Sequence, residues 1–81
     1  MRVNVRLFAR LRDIAGSGEL TRDTPIGSTV GAVWSSLVTE FPDMAAYEKS
    51  ISCAVNTDYS KFTATIAEGD EIAFLPPVSG G

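Results

Sequence analysis

The chain has 81 residues and a net charge of −3, with 44% hydrophobic residues, 21% charged residues and no histidine. This composition fits one globular domain with a modest core and excludes a disordered chain. The lack of histidine removes the usual general base and the commonest metal ligand, so we expect neither histidine-based catalysis nor a metal site. The single cysteine, the short apolar runs and an N-terminus unlike a secretory signal favour a cytoplasmic protein.

The first element in chain order is a strand over residues 1–9. Apolar and polar side chains alternate there, which predicts a strand with one buried face. Phe8 falls on the polar side of this strand or at its end. Residues 10–18 then predict one short apolar turn built on Leu11 and Ile14, and residues 19–24 are compatible with a weak second strand.

A helix is the clearest prediction, and it follows Pro25 and Ile26. Ser28 or Thr29 can cap its first turn, and Pro42 ends it near Phe41. Gly31 is expected to weaken the first turn by up to about 1 kcal/mol relative to alanine. The apolar face has the spacing of an amphipathic helix and consists of Val30, Val33, Trp34, Leu37 and Phe41.

The second half of the chain predicts a short helical turn over residues 43–50, a third strand over 51–56 and a weak strand over 59–62. A last strand follows over 71–75, with Ile72 and Phe74 on one face and Ala73 and Leu75 on the other. This order lacks the regular strand–helix alternation of a doubly wound fold. We therefore predict an α+β, β-grasp-like domain over residues 1–75, with one main helix covering a mixed sheet of about four or five strands.

Few side chains suggest chemistry. Cys53 sits in an apolar strand, where cysteine usually packs as a small hydrophobic residue, and Trp34 is expected in the core. Glu68, Asp70 and Glu71 surround a glycine and are typical of an exposed turn; a calcium site would need more oxygen ligands at a defined spacing. The glycines match no phosphate-binding pattern.

The C-terminal stretch "FLPPVSGG" is the exception. Glycine is about 7% of residues in proteins, so a chance Gly-Gly ending is expected in roughly one chain in 200. The prolines favour an extended segment, and glycines at the tip leave it narrow enough for a channel. The reactive group is then the terminal carboxylate, which an ATP-using partner must activate. We predict a flexible tail made of Pro76, Pro77, Val78, Ser79, Gly80 and Gly81.

Three stretches resemble a known family. "VRLFARLRDIAG", "AVN" at 54–56 and above all "EGDEIAFLPPVSGG" at 68–81 are similar to the MoaD/ThiS family of ubiquitin-like sulfur carriers, and most of all to its MoaD branch, the small subunits of molybdopterin synthase. The resemblance covers the whole chain.

The resemblance implies a function for Gly81. An E1-like adenylyltransferase of the MoeB type would adenylate its carboxylate, and a sulfur donor such as a cysteine desulfurase or a rhodanese would convert it to a thiocarboxylate. The tail would then deliver sulfur to a pterin precursor in the active site of a MoaE-like large subunit, which carries the catalytic side chains. The adenylate and thiocarboxylate are covalent states, and we expect no bound cofactor, no nucleic acid and no membrane partner.

Candidate docking residues come from the pattern of the chain. Phe8, Tyr59 and Leu75 are apolar side chains expected on the surface, although each is also compatible with a half-buried place in a small core. Residues 1–22 contain five arginines and two acidic residues, whereas residues 23–81 contain two lysines and eight acidic residues. Most of these arginines are expected simply to face solvent. Arg10 and Arg12 should lie near the root of the tail, because the first and last strands of a β-grasp fold are parallel neighbours. They are therefore the two arginines that we expect to contact a partner.

Other functions remain open at this point. One alternative is a ThiS-like or other sulfur carrier for thiamine, tRNA thiolation or cysteine synthesis. Another is a ubiquitin-like modifier that is joined to lysines, and a third is an interaction module whose Gly-Gly ending is incidental. The "FARLRD" and "FLPPVSGG" stretches favour the molybdopterin branch.

Overall fold

The computed structural model describes residues 1–77. Within them the chain forms five strands, two α-helices and one 3₁₀ helix. In chain order these are β1 (Arg2–Leu7), α1 (Ala9–Ala15), β2 (Glu19–Asp23), α2 (Val30–Glu40), the 3₁₀ helix (Pro42–Tyr47), β3 (Ser52–Val55), β4 (Asp58–Ser60) and β5 (Glu71–Leu75).

The strands form one mixed sheet in the order β2-β1-β5-β3-β4. β1 and β5 lie side by side at its centre and run parallel, with Val5 opposite Ile72 and Leu7 opposite Phe74. The other neighbouring pairs are antiparallel. The predicted α+β architecture, a mixed sheet with one main helix, is therefore confirmed.

Alternation along β1 and β5 divides the sheet into two faces. One face carries Val3, Val5, Leu7, Ile72 and Phe74, all of which are buried in the core. The opposite face is not covered by a helix and includes Arg6, Ala73 and Leu75, which are half-buried. The last strand ends on this open face, at Leu75.

The main helix begins and ends as predicted. The Thr29 hydroxyl caps it by accepting a hydrogen bond of 3.2 Å from the Ala32 amide, and Phe41 is its C-terminal cap. Its buried residues are Val30, Val33, Trp34 and Leu37. The structure also explains the glycine in the first turn: the Gly31 amide donates to the Phe62 carbonyl, and a Cβ there would lie 3.2 Å from that oxygen.

An aromatic cluster fixes the helix on the sheet. The rings of Trp34 and Phe74 lie 5.1 Å apart, and Phe62 lies 6.3 Å from each of them. The Trp34 indole N–H donates to Glu48 at 3.1 Å, so the polar edge of this buried ring is satisfied. The prediction that Trp34 belongs to the core is confirmed.

Two local predictions need correction. Residues 10–15 form more than one apolar turn: they belong to α1, a seven-residue helix that Gly16 ends in a left-handed conformation with φ 77°. β4 spans Asp58–Ser60 rather than residues 59–62, because Asn56 and Thr57 both have positive φ and form a two-residue hairpin turn that starts the strand at once.

The last described residues are Pro76, which is half-buried, and Pro77, which is exposed. The predicted flexible tail lies mostly on Val78, Ser79, Gly80 and Gly81, which are outside the described residues. That prediction stays a prediction.

Candidate functional site

The open face of the sheet brings apolar side chains together beside the end of β5. Ala73 and Leu75 point to this face from β5, and the strand register places Ala54 opposite Ala73 and Tyr59 opposite Ala54. Phe8 joins them from the chain that follows β1. They form a concave surface of about 320 Å³, here called the docking face, which is lined by Arg6, Phe8, Ala54, Thr57, Tyr59, Glu71, Ala73 and Leu75.

Exposure supports a role in binding for this surface. In residues 1–77 the exposed large hydrophobic side chains are Phe8 at 37%, Tyr59 at 78% and Ile26 at 89%. Two of these three lie on the docking face. Exposed aromatic side chains that lie together are typical of protein–protein interaction surfaces.

Phe8 occupies its position because β1 ends at Leu7. Its backbone is extended, with φ −127° and ψ 155°, and serves as the N-terminal cap of α1. Ala9 follows with φ 49°, which is unusual for a residue other than glycine. The chain therefore turns sharply there, and Phe8 belongs to the end of the strand, the second of the two positions expected from the sequence.

The polar rim of the docking face centres on Arg6. Its Nη1 lies 3.9 Å from Glu19 and 4.0 Å from Glu71, and its guanidinium carbon lies 5.6 Å from the centre of the Phe8 ring. Arg6 and Glu71 also line a neighbouring polar concavity with Asn4, Glu19 and Thr21. Sequence reasoning missed Arg6, Ala54, Thr57, Glu71 and Ala73; for Ala73 the alternation of β5 was a usable signal.

The basic residues separate into two groups. Arg2 pairs with Asp23, Arg22 pairs with Glu40, and Arg6 lies between its two glutamates. Within residues 1–77, by contrast, Arg10 and Arg12 form no ion pair, and both are exposed on α1. Because α1 packs against β5, these two arginines are compatible with a partner contact, which remains a prediction.

Cys53 lies on the other side of the sheet. It is buried, its thiol donates to the Ser60 carbonyl at 3.0 Å, and burial raises the pKa of the thiol above its usual value. A protonated, buried thiol is a poor nucleophile. The expectation that Cys53 packs as a core residue is confirmed.

A second apolar concavity lies at the opposite end of β1, where it is lined by Met1, Ile26, Ile66 and neighbouring residues. β1 and β5 run parallel, so this end of the sheet is the one farthest from Leu75. Within residues 1–77, no helix has both the length and the apolar character needed to cross a bilayer.

Comparison with known proteins identifies the family. The sequence matches the ThiS family over residues 5–81. The chain belongs to the ThiS family.

Individual relatives agree with this assignment. The molybdopterin synthase sulfur carrier subunit of Arabidopsis thaliana is 37% identical over 79 residues, which cover 98% of this chain and 82% of that protein. Among solved structures, SAMP1 from Haloferax volcanii has a TM-score of 0.87 at 30% identity and full coverage of both chains. A putative molybdopterin converting factor subunit 1 from Pyrococcus furiosus has a TM-score of 0.85 at 26% identity, covering 96% and 99%.

Proposed function

We propose that this chain is the sulfur carrier subunit of a molybdopterin synthase and that it carries sulfur as a thiocarboxylate on Gly81. The observation that carries the proposal is the 37% identity, over 98% of this chain, to a protein of that name. The ThiS family match, which spans residues 5–81, includes the Gly-Gly. The docking face supports it, because an exposed apolar surface lies beside the last strand, which ends at Leu75, five residues before Gly80.

The proposed chemistry begins at the Gly81 carboxylate. Its oxygen attacks the α-phosphorus of ATP on a MoeB-like E1-like enzyme, and pyrophosphate leaves. The terminal sulfur of a donor persulfide then attacks the acyl carbon, and AMP leaves. A thiol cleaves the resulting acyl disulfide, forming a disulfide with the donor sulfur and releasing the thiocarboxylate. The donor persulfide would come from a cysteine desulfurase or a rhodanese.

Two features of this chain's side chains are consistent with a carrier that leaves catalysis to its partners. The sequence has no histidine, and the Cys53 thiol is buried with a raised pKa. We propose that the acid–base groups of the reaction come from the partners. This chain folds, docks through Phe8, Tyr59 and Leu75, and presents the tail, which makes it a sulfur-donating subunit without catalytic side chains.

The partner of the docking face is proposed to be the MoaE-like large subunit. The Arabidopsis relative is named as one subunit of a synthase, so a second subunit is expected to hold the pterin precursor. Arg10 and Arg12 would contact acidic side chains at the edge of this interface and of the E1-like enzyme. Such exposed charges act mainly on association rates.

The decisive experiment is assembly from purified parts. The carrier is incubated with the E1-like enzyme, ATP and a persulfide donor, and its intact mass should show one oxygen replaced by sulfur at the C-terminus. Adding the large subunit and the pterin precursor should then yield molybdopterin. A variant with one alanine added after Gly81 should fold but take no sulfur. Sulfur uptake by that variant would show that the Gly81 carboxylate is not the working group.

A second candidate function is that of a protein modifier. SAMP1, the small archaeal modifier protein 1 of H. volcanii, is 30% identical to this chain over its full length. The same Gly81 adenylate would then be attacked by a lysine amine, giving an isopeptide bond. Proteins linked through Gly81 in cells would support this function, whereas sulfur transfer without such conjugates supports the carrier. Carriers for thiamine, tRNA thiolation or cysteine synthesis differ only in the sulfur acceptor and are tested by replacing the precursor.

A further inference from the structure

Arg6 connects the charged and apolar parts of the docking face. On β1 it lies opposite Glu19 of β2 and next to Ala73 of β5. Its Nη1 lies between two carboxylates, 3.9 Å from Glu19 and 4.0 Å from Glu71. The guanidinium carbon lies 5.6 Å from the Phe8 ring centre, within the range of a cation–π contact.

Stability does not explain this arrangement well. The Arg6 side chain is 42% exposed and both ion pairs exceed hydrogen-bond length, so each contributes little to folding. Its Nε atom is buried and has no hydrogen-bond partner among the described residues, which is unfavourable. The position of the Arg6 side chain therefore needs an explanation other than stability. Its contact with the Phe8 ring offers one.

The Phe8 ring needs such a neighbour. Phe8 lies past the end of β1, outside the strand ladder, and is 37% exposed. Since the sheet does not hold it, its side-chain rotamer depends on contacts with adjacent groups. An exposed aromatic ring that is already fixed loses less conformational entropy when a partner covers it.

We infer that Arg6 is a positioning residue for docking: its guanidinium, which lies between Glu19 and Glu71, keeps the Phe8 ring in the orientation that the partner binds. This inference rests on the proposed function, since the partner meant here is the large subunit. Arg6 itself need not touch the partner. The effect of replacing it must then disappear when Phe8 is absent.

The contact is tested first in the isolated carrier by NMR. The ring current of Phe8 should move the Arg6 side-chain protons upfield relative to their shifts in F8L, while the Arg2 side-chain protons stay unchanged. Equal Arg6 shifts in the two proteins would overturn the inference without any partner being present.

The docking role is tested with a double-mutant cycle. The dissociation constant for the large subunit is measured for the wild type, R6M, F8A and R6M/F8A, with thermal unfolding to check the fold. R6M should weaken binding roughly two- to fivefold, the range expected for loss of an exposed cation–π contact. In the F8A background R6M should have no further effect. R6K, which keeps a cation, should bind with intermediate affinity.

R2M is the matched control. Arg2 lies on the same face of the same strand and pairs with Asp23, but four residues along a strand place it roughly 13 Å from Arg6. R2M should bind like the wild type, which separates lost positive charge from lost positioning. An equal loss in R2M and R6M, an unchanged R6M affinity, or a full R6M effect in the F8A background would each overturn the inference.

Failure of the proposed function is distinguishable from failure of this inference. If the large subunit binds but F8A binds as well as the wild type, Phe8 is not a docking residue and the inference fails while the carrier function stands. If the wild type neither binds the large subunit nor takes sulfur on Gly81, the proposed function fails and the docking role of Arg6 falls with it.

Discussion

The Asn56 side-chain amide nitrogen donates a 2.9 Å hydrogen bond to the Asp70 carboxylate, 14 positions further along the chain. The Asn56 side-chain oxygen also accepts from the Glu71 amide at 3.0 Å, and the other Asp70 oxygen accepts from the Ala67 amide at 2.8 Å. These bonds join the hairpin after β3 to the start of β5. They give the "AVN" and "EGDEI" stretches a structural role in holding these two segments together.

Replacing Asn56 should lower stability for two separable reasons. N56A loses both side-chain hydrogen bonds and also places alanine at φ 51°, where asparagine is better tolerated. We expect it to lower the free energy of unfolding by about 2–3 kcal/mol. N56G removes the same bonds but accepts the positive φ, so its loss should be smaller. Urea unfolding measures both variants. Equal losses would mean that the backbone conformation contributes nothing.

The same network makes stability depend on pH. The hydrogen bond from Asn56 and that from the Ala67 amide lower the pKa of Asp70 below its ordinary value of 3.8. A lowered pKa means that the unfolded chain binds protons first as the pH falls. The contribution of Asp70 is therefore fully present above the pKa of this carboxyl in the unfolded chain and is lost as the pH falls through its folded pKa.

D70N should flatten this pH dependence. Urea midpoints are measured between pH 6 and pH 3 for the wild type and for D70N, and the wild type should lose more stability across that range. The urea midpoints of D23N are measured over the same pH range, because hydrogen bonding and charge from Arg2 likewise lower the pKa of Asp23. A D70N curve parallel to that of the wild type would show that Asp70 is not the responsible group.

The spacing of apolar residues predicted the strands and the helix that bury one face in the core. β1, α2 and β5 each bury one face in the same core, so their apolar spacing alone identifies them. β4 has three residues, only one of them half-buried, and its bounds were wrong because the turn at Asn56 and Thr57 sets where it starts.

The docking face was only partly predictable for a related reason. The sequence predicts exposed apolar side chains at Phe8, Tyr59 and Leu75. The strand order of the sheet is what brings them together. Arg6 meets Glu71 because β1 and β5 are parallel neighbours, and meets Phe8 because the chain turns at Ala9. Neither contact of Arg6 can be predicted from the spacing of residues along the sequence.

Tyr59 should contribute to partner binding more than an equally exposed residue elsewhere. Y59A removes a 78% exposed ring from the docking face and should weaken binding of the large subunit by roughly tenfold or more, as for a residue of a binding hot spot. I26A removes an even more exposed side chain at the far end of the sheet and should leave affinity unchanged. Calorimetric titration measures both. The docking face would be wrongly placed if I26A weakened binding and Y59A did not.

Cys53 should be dispensable for sulfur transfer. C53A removes a buried thiol that bonds to the Ser60 carbonyl, so we expect a loss of about 1 kcal/mol in unfolding free energy. Because the thiol lies on the core side of the sheet, thiocarboxylate formation at Gly81 should proceed at the wild-type rate. Intact mass after sulfur loading measures this. A loss of sulfur uptake by a folded C53A protein would give Cys53 a chemical role.

Ala9 should be a site where glycine stabilises the fold. With φ 49° its Cβ is strained, at a cost of about 1 kcal/mol, and A9G should recover part of that energy. Ala45 is an exposed residue of the 3₁₀ helix without a positive φ, so the same substitution there should lower stability by roughly 0.5–1 kcal/mol. Opposite signs in urea unfolding are the expected result. A9G should also loosen the chain next to Phe8 and so weaken partner binding even as it stabilises the domain, and a loss of stability in both variants would show that Ala9 is not strained.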